Sequence, residues 1–184
     1  MIHPMTVPLR RNRGWRLVPD ARPLPQPFRW PLRRLGDRDP LVLAEHEDDP
    51  RRGAVLGYDA RPFDRELYVP VFAAQDGDVM FAGETESGFA ISIDHRAHGW
   101  ATHYAHLSRL FVTPRDLQRN RKRQQRVRTG DVIGYAAKSP IEIRFELWQW
   151  TDDHGFVAVD PIAQFGAWAT PLAHAPPIPD KQAA

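Results

Sequence analysis

Ile141, Ile143, Phe145 and Leu147 alternate with Glu142, Arg144, Glu146 and Trp148. A period of two predicts a strand with one buried face and one polar face. Shorter runs of the same kind lie upstream at regular intervals. Val69 to Ala74 is apolar, Asp76-Gly77-Asp78 is a turn, and Val79 to Gly83 is the returning strand. Glu84 to Gly88 is a polar turn, Phe89 to Asp94 alternates, His95 to Gly99 turns again, and Trp100 to His106 is the next strand. Pro40 to Ala44 and Val132 to Tyr135 complete the set. Only Pro114 to Arg123 has the character of a short helix. The pattern predicts an all-β fold built of hairpins.

Length and composition bound this picture. A chain of 184 residues fits one domain with tails, and 42% hydrophobic residues suffice for a core. Residues 1–29 hold six prolines and six arginines without a hydrophobic period, and read as an N-terminal arm. The β domain is expected over 30–168, with a basic insertion at 111–128, and 169–184 as a flexible tail. The formal charge is only +2, yet Arg115, Arg119, Arg121, Lys122, Arg123, Arg126 and Arg128 stand against Asp116 alone. That balance argues against a general polyanion-binding protein and for one or two local basic patches. The chain has no cysteine, which excludes disulfides, thiolate catalysis and cysteine-ligated zinc. No run approaches the ~20 apolar residues of a membrane span. No apolar segment precedes the first basic residues, so the expectation is a cytoplasmic chain unless another export route serves it.

Val71 to Gly83, Ile93-Asp94-His95 with Thr102 to Ser108, Val127 to Gly134 and Val159-Asp160-Pro161 together resemble segments of the lysostaphin-like zinc metalloendopeptidases of the LytM type. Val71 to Gly83 looks like that family's central hairpin. Ile93-Asp94-His95, followed by Thr102-His103-Tyr104-Ala105-His106-Leu107-Ser108, looks like the strand that ends in its Tyr-Ala-His-Leu motif. Val127 to Gly134 and Val159-Asp160-Pro161 look like the turn and closing elements that follow. The resemblance implies a small antiparallel β-sandwich with a groove. It also implies a catalytic zinc held by two histidines and an aspartate, with two further histidines assisting hydrolysis of bacterial cell-wall peptides.

Carried over position by position, that site is degenerate. Where the family reads His-x-Gly-x-Asp this chain has Val55-Leu56-Gly57-Tyr58-Asp59, and where it reads His-x-His-Phe-Glu this chain has Glu142-Ile143-Arg144-Phe145-Glu146. Val55 cannot bind a metal, and the guanidinium of Arg144 is a permanent cation without a lone pair to give. Asp59 and His106 survive, while Glu142 replaces an assisting histidine. The expectation is therefore no zinc and no other cofactor. Arg144 would pair with Asp59 and Glu142 with His106 as a salt-bridged cluster. Asp59, Tyr104, His106, Glu142 and Arg144 would line a binding groove.

Three functions compete. The favoured one is a non-catalytic, peptidase-like domain that binds a protein partner or peptidoglycan as regulator or scaffold. An active zinc endopeptidase with relocated ligands would need histidines from elsewhere. His95, His98, His103 and His106 are close in sequence, but His103 and His106 have opposite parity on a regular strand. The acidic loop at Glu45, His46, Glu47, Asp48 and Asp49 reads as solvated. Nucleic-acid binding through the arginine-rich insertion is disfavoured, because the chain carries no base-reading motif.

Overall fold

The computed structural model describes residues 28–33, 40–45, 53–58, 68–95, 99–112, 125–136, 141–166 and 173–174. Eleven strands and one short helix occupy them. The strands are β1 (Leu41–Glu45), β2 (Ala54–Gly57), β3 (Pro70–Phe72), β4 (Gly77–Thr85), β5 (Gly88–His95), β6 (Trp100–Leu110), β7 (Arg126–Val127), β8 (Val132–Ala136), β9 (Glu142–Thr151), β10 (Gly155–Val159) and β11 (Ala173–His174), with α1 at Pro161–Gly166. All pairings are antiparallel except β1 with β11. The fold is all-β, as the alternation predicts.

The main sheet runs β11-β1-β2-β9-β6-β5-β4-β7. Strand β6 is its hub. Its first half lies between β5 and β9, and its last residues leave β9 for β8, which in turn carries β3. Val71 of β3 and Ile133 of β8 join Leu56, Ile91, Tyr104 and Phe145 in one buried cluster, so this second leaf closes over the inward face of the main sheet. Alternation along β9 decides what faces inward: Ile143, Phe145 and Leu147 are fully buried, while Glu142, Arg144 and Glu146 are only partly so. Trp148 is on the outer face yet buried, because Ala101 and Ala158 flank it and Met80, Phe81 and Phe156 pack on them.

Several boundaries differ from expectation. Phe28 belongs to the core, with its ring 5.1 Å from that of His95, so the domain begins inside the proline-rich arm. The Arg29 amide donates to the Ala74 carbonyl, and Pro31 accepts from Phe72, so 28–33 runs alongside β3. Both ends of the basic insertion are also part of the fold: Val112 and Val127 are buried, and β7 pairs with β4. Strand β11 pairs within the segment expected to be a free tail. The expected helix at 114–123 and the acidic loop at 46–52 lie outside the described residues. Helix α1 was not foreseen from periodicity, and at six residues it is too short to show one. Its start is nevertheless written as Asp160-Pro161: Asp160 Oδ1 accepts the Ile162 amide at 2.8 Å, and proline fills the first helical position.

Candidate functional site

Register fixes which residues share the polar face of β9. Arg144 stands between Val55 of β2 and Ala105 of β6, Glu142 stands opposite Gly57, and Glu146 stands opposite His103. Cross-strand partners project to the same side. The positions expected to hold the first and third metal ligands, Val55 and Arg144, are thus direct neighbours. Asp59, the second, lies outside the described residues, and so does its expected pairing with Arg144.

His106 reaches this face by a backbone irregularity. Phe89 pairs with Leu107 and Ile91 with Tyr104, so Ala105 and His106 together oppose Ala90. One extra residue in a strand is a β-bulge, and it reverses the side on which the next residue emerges. His106 takes φ 59°, the only positive φ at a non-glycine among the described residues. Parity alone places His103 and His106 on opposite faces; the bulge cancels that argument. His106 Nδ1 comes to 3.6 Å from Glu142 Oε1, the juxtaposition expected for that pair. Both side chains keep access to solvent, at 30% and 24%, so the pair is worth at most about 1 kcal/mol.

Arg144 is held by its own strand. Its Nε donates to Glu146 Oε1 at 2.9 Å, and the indole Nε1 of Trp148 donates to the other oxygen, Oε2, at 3.2 Å. The Glu146 carboxylate therefore bridges a guanidinium and a buried tryptophan. Opposite Glu146 stands His103, whose Nδ1 is 2.8 Å from the Ser92 hydroxyl. Sequence reasoning assigned no role to Glu146 at the site or to the Ser92–His103 contact. The β9 alternation already placed Glu146 beside Arg144, but the pairing of His103 with Ser92 needed the β5–β6 register.

Tyr104 requires a correction. It was expected to line the groove, but it is fully buried on the core face. The register Tyr104 to Phe145 puts it inward, with the two rings 5.3 Å apart. Its hydroxyl accepts the Ala74 amide at 2.9 Å and lies 3.1 Å from Thr102 Oγ1. Burial pushes its pKa up to about 12. Thr102 is in turn 2.9 Å from His95 Nε2, while His95 Nδ1 donates to the Asp76 carbonyl at 2.8 Å. His95 is 1% exposed and serves this internal chain rather than a metal. At its outer end Asp76 Oδ1 accepts both the amide and the hydroxyl of Thr129, which hold its carboxyl below the ordinary aspartate value, helped by Arg126 and Arg128.

The polar face can be tested for zinc by donor chemistry. Tetrahedral zinc needs lone pairs from imidazole or carboxylate. Val55 offers none, and Arg144 brings a positive charge to where a dication would sit. Among the described residues no group of three or more histidine, cysteine, aspartate or glutamate side chains is arranged to hold a metal. The described residues at these positions, Val55 and Arg144, do not fit the family's zinc.

The family model for peptidase family M23 matches residues 62–153. The chain belongs to peptidase family M23. The M23 match contains His106, Glu142 and Arg144 and begins after Val55 and Asp59. An M23 peptidase from Pseudomonas aeruginosa superposes with a TM-score of 0.51 at 20% identity, over 84% of this chain and 56% of that one. Lysostaphin, the antimicrobial peptidase of Staphylococcus simulans, gives 0.49 at 15% identity, over 77% and 57%. The SpoIIQ–SpoIIIAH complex gives 0.47 at 15% identity, over 71% and 96%. The chain thus spans little more than half the length of the first two. No curated protein matches it. Among the described residues no helix is long and apolar enough to cross a membrane.

Proposed function

We propose that this chain is a non-catalytic M23 domain that binds a protein partner or peptidoglycan as a regulator or scaffold. The observation that carries the reading is Arg144. By the sequence resemblance a guanidinium replaces one of the family's metal ligands, and the Arg144–Glu146 pair at 2.9 Å supports that reading by keeping this cation on the polar face. Without a metal to lower the pKa of a bound water, the fold has no ready source of hydroxide at neutral pH. Its polar face, with His103, His106, Glu142, Arg144 and Glu146, still offers donors and acceptors to an extended ligand. Recognition therefore outlives hydrolysis in this scaffold.

The test is metal content and turnover on one sample. Purified protein, loaded with zinc and desalted, is assayed by elemental analysis and then incubated with muropeptides, with and without a chelator. The reading expects background zinc and no cleavage. Near-stoichiometric zinc with chelator-sensitive cleavage would sink it. Cosedimentation with purified sacculi then separates the two ligand classes: retention on the pellet favours peptidoglycan, and its absence favours a protein partner.

A further inference from the structure

We infer that a second surface, on the β3–β8 leaf and away from the polar face of β9, docks an acidic, apolar-rich segment of a partner protein. This deepens the partner half of the proposal above and does not depend on the loss of hydrolysis. The strip begins at Tyr68, 48% exposed, whose ring centroid is 5.2 Å from that of Tyr135. Tyr135 in turn meets Phe111, 41% exposed, edge-on at 4.7 Å. Register shows that these residues share one face. Tyr135 stands opposite Pro70 and Arg109, and Val132, also exposed, stands opposite Phe72. Two guanidiniums roof the strip: Arg33 lies 3.9 Å over the Phe72 ring and Arg109 5.5 Å from the Phe111 centroid.

The physical argument is twofold. Exposed tyrosine and phenylalanine with arginine is the composition of interface anchors, because rigid rings bury much area at little entropic cost. Contiguous exposed rings on a folded domain otherwise carry a solvation penalty with no return. The charge then selects the occupant. Among the described residues the cations at the strip are Arg33, which also donates through Nη2 to the Gly130 carbonyl at 3.4 Å, and Arg109; an arginine beside a ring keeps further N–H groups to pair with carboxylates. Asp131, next to Val132 in the chain, is occupied within its own turn by the Arg128 amide at 2.8 Å.

The test is selection from random twelve-residue peptides displayed on phage, against the full chain, with counter-selection on a Tyr68→Ser/Phe111→Ser variant. Both positions are well exposed, so the variant should keep the parent's circular dichroism and melting temperature. The inference expects enriched peptides that combine Asp or Glu with Trp, Leu or Pro. As synthetic peptides they should lose about tenfold or more in affinity to the double variant and to Arg109→Gln, and be unaffected by Glu142→Gln. Enriched peptides without acidic residues, or whose binding survives both strip variants, overturn it. So does loss of binding only with Glu142→Gln, which instead assigns the peptides to the β9 face. A fluorescent dT12 probe that binds at 150 mM salt and is released by the strip variants gives the surface to single-stranded nucleic acid instead. Sedimentation showing a dimer that the double variant dissolves gives it to a second copy. A failed zinc test leaves all of these readouts intact.

Discussion

Val55 and Arg144 are direct cross-strand partners, so two histidines placed at these positions would project to the same side. Opposed residues on neighbouring strands have Cβ atoms roughly 4.5–5.5 Å apart, a span that lets two imidazoles reach one zinc at about 2.0–2.1 Å. The double variant Val55→His/Arg144→His is therefore expected to retain close to one equivalent of zinc after desalting, where the parent retains background. A variant that stays metal-free by elemental analysis would show that these positions do not correspond to the family's ligands. His106 supplies a second prediction at this scale. Its φ of 59° is costly for any side chain and worst for a β-branched one. His106→Val should lose about 1–2 kcal/mol in denaturant unfolding, whereas His106→Gly should stay near the parent. Equal losses in both would mean that the Glu142 pair, not the backbone, determines the stability there.

At the level of elements, β9 was legible in the sequence because its alternation is strict and both its faces are used. Strand β2 was not: Ala54–Gly57 is four residues long, too short for periodicity to show. Strand β10 was missed for a related reason. Its Phe156 and Ala158 serve the outer tryptophan cluster rather than the main core, so no single burial face was apparent. The turn expected at Asp76-Gly77-Asp78 lies two residues late, since β4 starts at Gly77 rather than Val79. Gly77 already belongs to the strand, and a Cβ built on it would lie 2.6 Å from Ile93 Cγ2 and 2.7 Å from both the Asp94 carbonyl oxygen and His95 Nδ1. Two of these neighbours cannot swing aside, since one is backbone and the other is fixed by its bond to Asp76. Gly77→Ala should cost about 1–3 kcal/mol by overpacking, read as a lower urea midpoint at unchanged slope. A neutral result would mean that the β4–β5 hairpin is looser than its register implies.

Over the whole molecule, the core and the internal polar chain share Tyr104, so they are expected to open together. Tyr104 is fully buried, and its pKa rises from 10.0 to about 12. A phenol held protonated by the fold binds more protons folded than unfolded between those values. Its contribution to stability is thus complete below pH 10 and is lost as pH rises through about 12. In an alkaline titration the Tyr104 phenolate should appear only with global unfolding. Tyr104→Phe should remove that late step. It should also cost about 1–3 kcal/mol at neutral pH, because the Ala74 amide loses its acceptor inside the core. Reversible ionisation of this tyrosine with tertiary structure intact would contradict its placement.

Local pattern determined the all-β class and the inward and outward faces of β9. Each follows from side-chain chemistry read at a spacing of two. What the tertiary structure alone decided is where those faces meet. A single bulge at Ala105–His106 brings His106 to Glu142, and the β6–β9 register sends Tyr104 into the core. Glu146 takes Arg144, and the β3–β8 leaf collects Tyr68, Phe111 and Tyr135 from distant segments into one strip. Parity along a strand is a local property. Bulges and registers depend on which neighbour a strand finds, and no window of sequence contains both partners.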